Sequence, residues 1–209
     1  VSILNQNNTT HLGENEVVYS YANIDPVYNI PTTILKCRPT TKYLVLEMGI
    51  EYPGEMDYYL WLAKPDIGII TPIYWTHTEF LKNIDNVVYE KGKIISSLAR
   101  SGCAVLNRDD KNSETISKLT DAKIVWYGFN KKANLRGQNV KISNEYITSF
   151  ELLLEGKSKN INLQLLGEHF VQLALAAASV GKISGIDILD IKKGLELVKP
   201  IPHRMIPIE

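Results

Sequence analysis

The stretch "KYLVLEMGIEYPGEMDYYLWLAKPDIGIITPIY" (42–74) decides the fold. It opens on four consecutive apolar residues, Tyr43 to Leu46, followed by Glu47 and, two residues on, Gly49. A short apolar run bounded by a turn residue is the pattern of a strand buried on both faces. "GEMDYYLWLAK" (54–64) reads as a helix, and "IGIITPIY" (67–74) as a second buried strand. Strand, helix and strand, with both strands apolar, is how a parallel pair joined by a helical crossover is written in sequence.

The alternation extends both ways. Upstream, "VVYSYA" (17–22) reads as a strand and "TTILKC" (32–37) as a short helix, with Pro31 suited to its first turn. Downstream, "NIDNVVYEKGKIISSLARSG" (83–102) places Ile84, Val87, Val88, Ile94, Ile95 and Leu98 on one helical stripe, and Gly102 suits the C-terminal cap. "CAVLN" (103–107) is a strand, "SETISKLTD" (113–121) a helix and "KIVWYGF" (123–129) a strand. The pattern then changes to "NVKISN", "YITSFELLLE" and "KNINLQLL", which read as antiparallel strands with tight turns. Two helices follow: "GEHFVQLALAAASVG" (167–181), and one opened by Ser184 and Asp187 at capping-box spacing. The expected fold is α/β: a mainly parallel sheet with helices on both faces, plus a small antiparallel subsheet.

Lys and Arg together number 23, as do Asp and Glu, so no net field recruits nucleic acid or an anionic membrane. No apolar run reaches membrane-spanning length, and the start carries no signal-peptide pattern. Cys37 and Cys103 match no metal or redox spacing; reduced thiols in a cytosolic protein are the simple reading, and a disulfide stays open.

Three residues carry candidate chemistry. Glu47 closes a strand, at the end of the sheet where parallel α/β folds place ligands and where an acid holds magnesium beside a nucleotide; the plain alternative is a carboxylate capping a loop. His77 follows the next strand and faces the same crevice on this reading, the alternative being a structural histidine. Lys91 interrupts the apolar stripe of the 83–102 helix, so it snorkels, pairs or does chemistry, with Tyr89 and Glu90 as exposed neighbours. No phosphate loop accompanies them. "EGKSK" (155–159) joins two strands and lacks the first glycine, "KGK" (91–93) lies inside a helix, and "VGKI" (180–183) follows one. "VSILNQNNTT" (1–10) could be a strand with a degenerate loop, but it has neither glycine nor lysine.

The segments "YANIDPVYNIP", "YLVLEMGIEYPGEM", "THTEFLKNIDNVVYEKGKII", "GCAVLNRDD" and "GEHFVQLALAAASVG" occur in the order and spacing of the central, P-loop NTPase-like domain of the Mur ligases. The resemblance is nearest to the ligases that add D-alanyl-D-alanine to a UDP-muramoyl tripeptide, and it covers residues 17 to 206. It implies ATP-dependent amide-bond formation in peptidoglycan precursor synthesis in the cytoplasm, with ATP and Mg2+ as cofactors. A nucleotide and a UDP-muramoyl-peptide-like molecule would be the substrates. By resemblance, Glu47 and His77 are magnesium ligands, and Lys91 is the lysine that becomes a carbamate. Asn107 and Asp109 match the segment near adenine and ribose, Asn23 the substrate-side loop, and His169 the histidine of the last motif.

The departures are equally specific. The phosphate loop is missing, Glu168 replaces an arginine, Phe170 and Leu173 replace two asparagines, and Asn29 stands where a glycine is usual. On this reading residues 1–200 form the central domain without its phosphate loop. Residues 201–209 are then an exit linker toward a C-terminal domain, and the isolated chain does not catalyse ligation. The alternative is a non-catalytic Mur-ligase-like binding or assembly module with a degenerate nucleotide site.

Overall fold

The computed structural model describes residues 1–6, 16–21, 24–76, 78–144 and 146–200. The segment 201–209, read as an exit linker, therefore lies outside the described residues, as do Asn23 and His77. The fold is α/β with a mainly parallel six-stranded sheet flanked by helices and a second, two-stranded sheet. The chain groups into two compact units: residues 12–104 with 110–124, and residues 1–11 with 105–109 and 125–209.

In the first unit, β1 (Val17–Tyr19) and β2 (Tyr43–Val45) form the two-stranded parallel sheet, with Val18 opposite Leu44. The helix α1 runs Pro26–Ile34, six residues earlier than Pro31 suggested. Its start is set by Asp25, whose side chain accepts the Val27 N–H, and by Pro26 in the first turn; Pro31 lies inside the helix. The strand expected over 42–49 ends at Val45 and is not buried, with Leu44 exposed. Helix α2 (Glu55–Leu62) is followed by β3 (Ile67–Ile69), which stops short of the expected 74.

A short α3 (Thr78–Leu81) leads into α4 (Ile84–Ser96), N-capped by the Asn83 side chain, which accepts the Asn86 N–H. Helix α4 ends at Ser96, so Gly102 is not its cap. Gly102 is needed for close approach instead: a Cβ there would come within 2.9 Å of the Asp66 carbonyl oxygen and 3.0 Å of that of Ala99. The adjoining strand β4 spans Cys103–Asn107, as expected, and α5 spans Lys111–Ser117 with Asp110 as its N-cap. Ile30, Met56, Val87, Ile95 and Ile116 are fully buried in this unit.

The second unit carries most of β5 (Lys123–Gly128) together with β6 (Leu135–Ile142), β7 (Thr148–Leu154) and β8 (Lys157–Leu163). Strands β5 and β6 overlap in parallel at Tyr127–Leu135 and Gly128–Arg136, whereas β6, β7 and β8 are antiparallel. The antiparallel strands continue the main sheet, in the order β3-β4-β5-β6-β7-β8. Burial alternates strictly along β7, the period-two pattern of a strand with one covered face. "EGKSK" is indeed a hairpin turn: Glu155 and Gly156 both have positive φ, 49° and 76°.

Helix α6 spans Glu168–Ile183, so "VGKI" lies within it and not after it. Helix α7 spans Ile188–Glu196 with Asp187 as its N-cap, accepting the Leu189 N–H; Ser184 closes α6 and takes no part in that cap. Residues 4–6 form a 3-10 turn in place of a strand, and Ile3 lies against Gly181 and Gly194 of the two helices.

Candidate functional site

Glu47 lies two residues past β2. Its backbone N–H donates to Ser20 Oγ at 2.9 Å, and the Ser20 N–H donates to the Val45 carbonyl at 3.0 Å. The serine thus prolongs the β1–β2 ladder by one side-chain bond and presents an exposed Glu47 carboxylate beyond the strand ends.

Lys91 is half-buried at the middle of α4. Its stripe is inward: Val87 is fully buried one turn before it, and Ile94 and Ile95 one turn after it close on Gly68 of β3, where a Cβ would lie 3.0 Å from each. Burial pushes the Lys91 amine below its ordinary pKa, and the negative charge of Glu47 partly opposes the shift. Glu47 is thus the acid whose charge reaches Lys91, and the half-buried Lys91 side chain lies along the apolar stripe. An amine in this state has a larger neutral fraction at neutral pH and is a better nucleophile than a solvated lysine.

The neighbours of Lys91 differ from expectation. Glu90 is only 4% exposed; it is a buried acid and not an exposed neighbour. Its Oε1 accepts from Lys93 Nζ at 2.9 Å, and Lys93 Nζ also donates to Asp57 Oδ2 of α2 at 2.7 Å. Burial works against the Lys93 charge, but the hydrogen bonds to Asp57 and Glu90 hold its pKa above the usual lysine value. Glu90 Oε2 has no hydrogen-bond partner among the described residues. Composition conceals this cluster: only the i, i+3 spacing of Glu90 and Lys93 hinted at a pair.

At the end of β4, Asn107 is 1% exposed. Its Oδ1 accepts the Asp109 N–H at 2.7 Å, and its Nδ2 is buried without a partner among the described residues. The Asp109 carboxylate is committed to the following turn, accepting from Phe129 N at 2.6 Å and Asn130 N at 2.9 Å. Asp109 therefore shapes the loop after β5, and Asn107 keeps the unspent donor. Asp110, unremarked in the sequence, ties two segments together: Oδ2 accepts the Ile73 N–H at 2.8 Å and Oδ1 caps α5.

His169 occupies the first turn of α6, exposed, with its ring 4.2 Å from that of Phe170 at 40°. It folds back over Gly167, whose φ of 126° excludes other residues and where a Cβ would meet the imidazole. Among the described residues no three His, Cys, Asp or Glu side chains form a metal cage. No helix among the described residues is long and apolar enough to cross a membrane.

The family model of the Mur ligase middle domain matches residues 3–181. The UDP-N-acetylmuramoyl-tripeptide–D-alanyl-D-alanine ligase of Escherichia coli K12 is 28% identical over 194 residues, covering 92% of this chain and 43% of that protein. The UDP-N-acetylmuramoyl-L-alanyl-D-glutamate–2,6-diaminopimelate ligase of Halalkalibacterium halodurans is 30% identical over 142 residues, 66% of this chain and 29% of that one. A crystal structure of MurF from Acinetobacter baumannii superposes with a TM-score of 0.88 at 23% identity, covering 100% of this chain and 44% of the other. MurF from Thermotoga maritima in complex with ADP gives 0.76 at 21% identity, covering 96% of this chain and 45% of that one. The chain thus spans less than half the length of these relatives.

Proposed function

The chain belongs to the Mur ligase middle-domain family, and from that premise we propose that it is the ATP-handling core of an acid–amino acid ligase that extends a UDP-muramoyl peptide with D-alanyl-D-alanine. In this reaction a substrate carboxylate takes the γ-phosphoryl group of ATP. The incoming amine then attacks the acyl carbon, the C–O bond to phosphate breaks, and the amide forms with loss of one proton. The observation that carries the reading is the match of the family model over residues 3–181, with Lys91 half-buried on the inward stripe of α4.

As an ammonium, Lys91 could hold no metal. Its neutral amine adds to CO2, forming an N–C bond and releasing a proton, and the product is a carboxylate on the interior face of α4. With Glu47 and His77 it would complete an oxygen-rich donor set suited to Mg2+. Bound there, the metal would neutralise charge gathering on the phosphoryl oxygens. Ser20 aims Glu47 through the backbone, and the packing of Ile94 and Ile95 on Gly68 holds the helix that carries Lys91. Asn107 Nδ2 is a free donor for a nucleotide acceptor, and Asp109 holds the 128–130 turn beside it. His169 at the start of α6 is assigned to the nucleotide side and Asn23 to the peptide substrate.

Isothermal titration of the full protein with ATP and Mg2+ tests the reading. Magnesium-dependent binding, and ligation that disappears in Glu47→Ala, are expected; absence of nucleotide binding overturns it. One observation favours a second reading. The Phe170 ring covers one side of His169 in a motif where the family carries asparagine. A non-catalytic module would show neither ATP hydrolysis nor ligation, with or without Glu47.

A further inference from the structure

The helix α4 carries two lysines two residues apart, Lys91 and Lys93, and only one can face the interior. A rotation of about 100° per residue separates neighbouring side chains on a helix, so the two point to different sides. The sequence places Lys91 on the apolar stripe, with Ile94 and Ile95 at i+3 and i+4, whereas Lys93 has Ser96 and Ser97 there, but it does not say what holds Lys93 on the other side. The structure does. Lys93 is held between Asp57 of α2 at 2.7 Å and Glu90 at 2.9 Å, with its ammonium 5.0 Å from the Tyr89 ring centroid. Lys91 has no hydrogen bond or ion pair among the described residues.

We propose that the Asp57–Lys93–Glu90 triad is a positioning device that pins Lys93 on the α2 side of α4 and so reserves the interior position for Lys91. It rests on the ligase reading of Lys91. Three contacts fix the rotation of α4 about its axis: Ile94 and Ile95 against Gly68, Gly92 against Leu119, and the triad against α2. A Cβ at Gly92 would lie 2.9 Å from Leu119 Cδ1, so that side is already closed. The triad is the polar member of the set, and it alone discriminates by charge. The apolar contacts set the packing face of α4, and the buried Glu90 carboxylate favours a cation opposite it. Glu90, with one oxygen unpartnered, is the group that makes loss of Lys93 unfavourable, since it would leave a buried charge with nothing opposite it.

The test is a comparison of wild-type protein, Asp57→Asn, Lys93→Met and Lys93→Arg in the full protein. Folding is monitored by circular dichroism. Two readouts are taken: the carbamate resonance from 13C-bicarbonate, and the ratio of Lys91 to Lys93 acetylation by acetic anhydride, resolved by mass spectrometry. In the wild type Lys91 is expected to be acetylated about fivefold faster than Lys93, whose ammonium is engaged twice. In Asp57→Asn the Lys91 rate itself falls, the ratio moves toward one and the carbamate signal drops with it. In Lys93→Met the carbamate signal drops, and Lys93→Arg restores it because arginine can keep both carboxylates. A merely structural triad would lower stability and free Lys93, lowering the ratio, while leaving the Lys91 rate and the carbamate at wild-type values, which overturns the proposal. Asp57 is largely exposed, so its variant is expected to fold even where Lys93→Met does not. If the wild type forms no carbamate and binds no nucleotide, the ligase reading fails, while the Lys91 acetylation rate still decides on the triad.

Discussion

Asp109 Oδ2 accepts the backbone N–H of Phe129 at 2.6 Å, and Oδ1 accepts that of Asn130 at 2.9 Å, so one carboxylate closes the turn after β5. Gly128 makes this possible. Its φ is 145°, and a Cβ at that position would run into the Asp109 carboxylate. Two bonds to a charged acceptor on a partly solvated turn contribute about 1–2 kcal/mol. Asp109→Ala is expected to lower stability by that amount in urea melts. Gly128→Ala should lower it by about 2 kcal/mol or more, because strain and collision add. If Asp109→Ala leaves the melting midpoint unchanged, the turn is held by other contacts.

Lys91→Met is expected to trade activity for stability. Burial lowers the Lys91 pKa, so the folded state penalises the charged amine. The penalty is complete below the folded pKa and is relieved as pH rises from there toward 10.5, the ordinary lysine value. Wild-type stability therefore contains a component that increases with pH over that window. Lys91→Met removes it, gaining about 1 kcal/mol at neutral pH while abolishing ligation. Denaturant unfolding of both proteins from pH 6 to pH 10 checks the sign: the difference between them should shrink as pH rises.

Tyr59 should ionise well above the ordinary phenol value. It is 1% exposed, and its pKa is pushed up to about 12 by burial first and then by the charges of Glu55, Asp25 and Glu51. A raised phenol pKa leaves stability intact below the ordinary value near 10, and stability falls as pH climbs from there to about 12. Tyr59 is expected to contribute a late phase, near pH 12, to a 295 nm titration of folded protein. Tyr59→Phe should remove that late phase; if the phase survives, another phenol owns it.

The free edge of β8 is plugged by α7. Asn162 N–H donates to Glu196 Oε1 at 2.9 Å, and Lys192 Nζ donates to the Asn160 carbonyl at 2.7 Å. Lys192 and Glu196 also pair with each other at 2.6 Å. Side chains that satisfy edge groups deny them to a second strand. Lys192→Ala with Glu196→Ala should cost about 1–2 kcal/mol and increase light scattering on heating. A double variant that heats as cleanly as wild type would show that this edge needs no cover.

Much of the architecture was legible in the sequence. Strand β4 lies where "CAVLN" predicts, the hairpin falls at "EGKSK", and the alternation of strand and helix gives way to antiparallel strands at the expected point. These are local signals, carried by period, apolar run and turn chemistry. The misreadings came where local signals competed: Asp25–Pro26 outweighed Pro31 as a helix start, and Ser97 ended α4 before Gly102. The candidate site was less legible. Lys91 stood out as a charge on an apolar stripe, but the burial of Glu90 and the turn-closing role of Asp109 left no local signal.

The sequence by itself determined the class of fold, the order of its elements and the family, because periodicity and ordered motifs are written along the chain. Only the tertiary structure decided what holds Lys93 away from the interior, which acid is buried beside it, and that Asp109 is bound up in a turn. Those outcomes depend on partners distant in sequence: Asp57 lies 36 residues from Lys93, and Phe129 lies 20 from Asp109. Charge and hydrogen bonding act through space, so a one-dimensional pattern carries no record of them until the chain has folded.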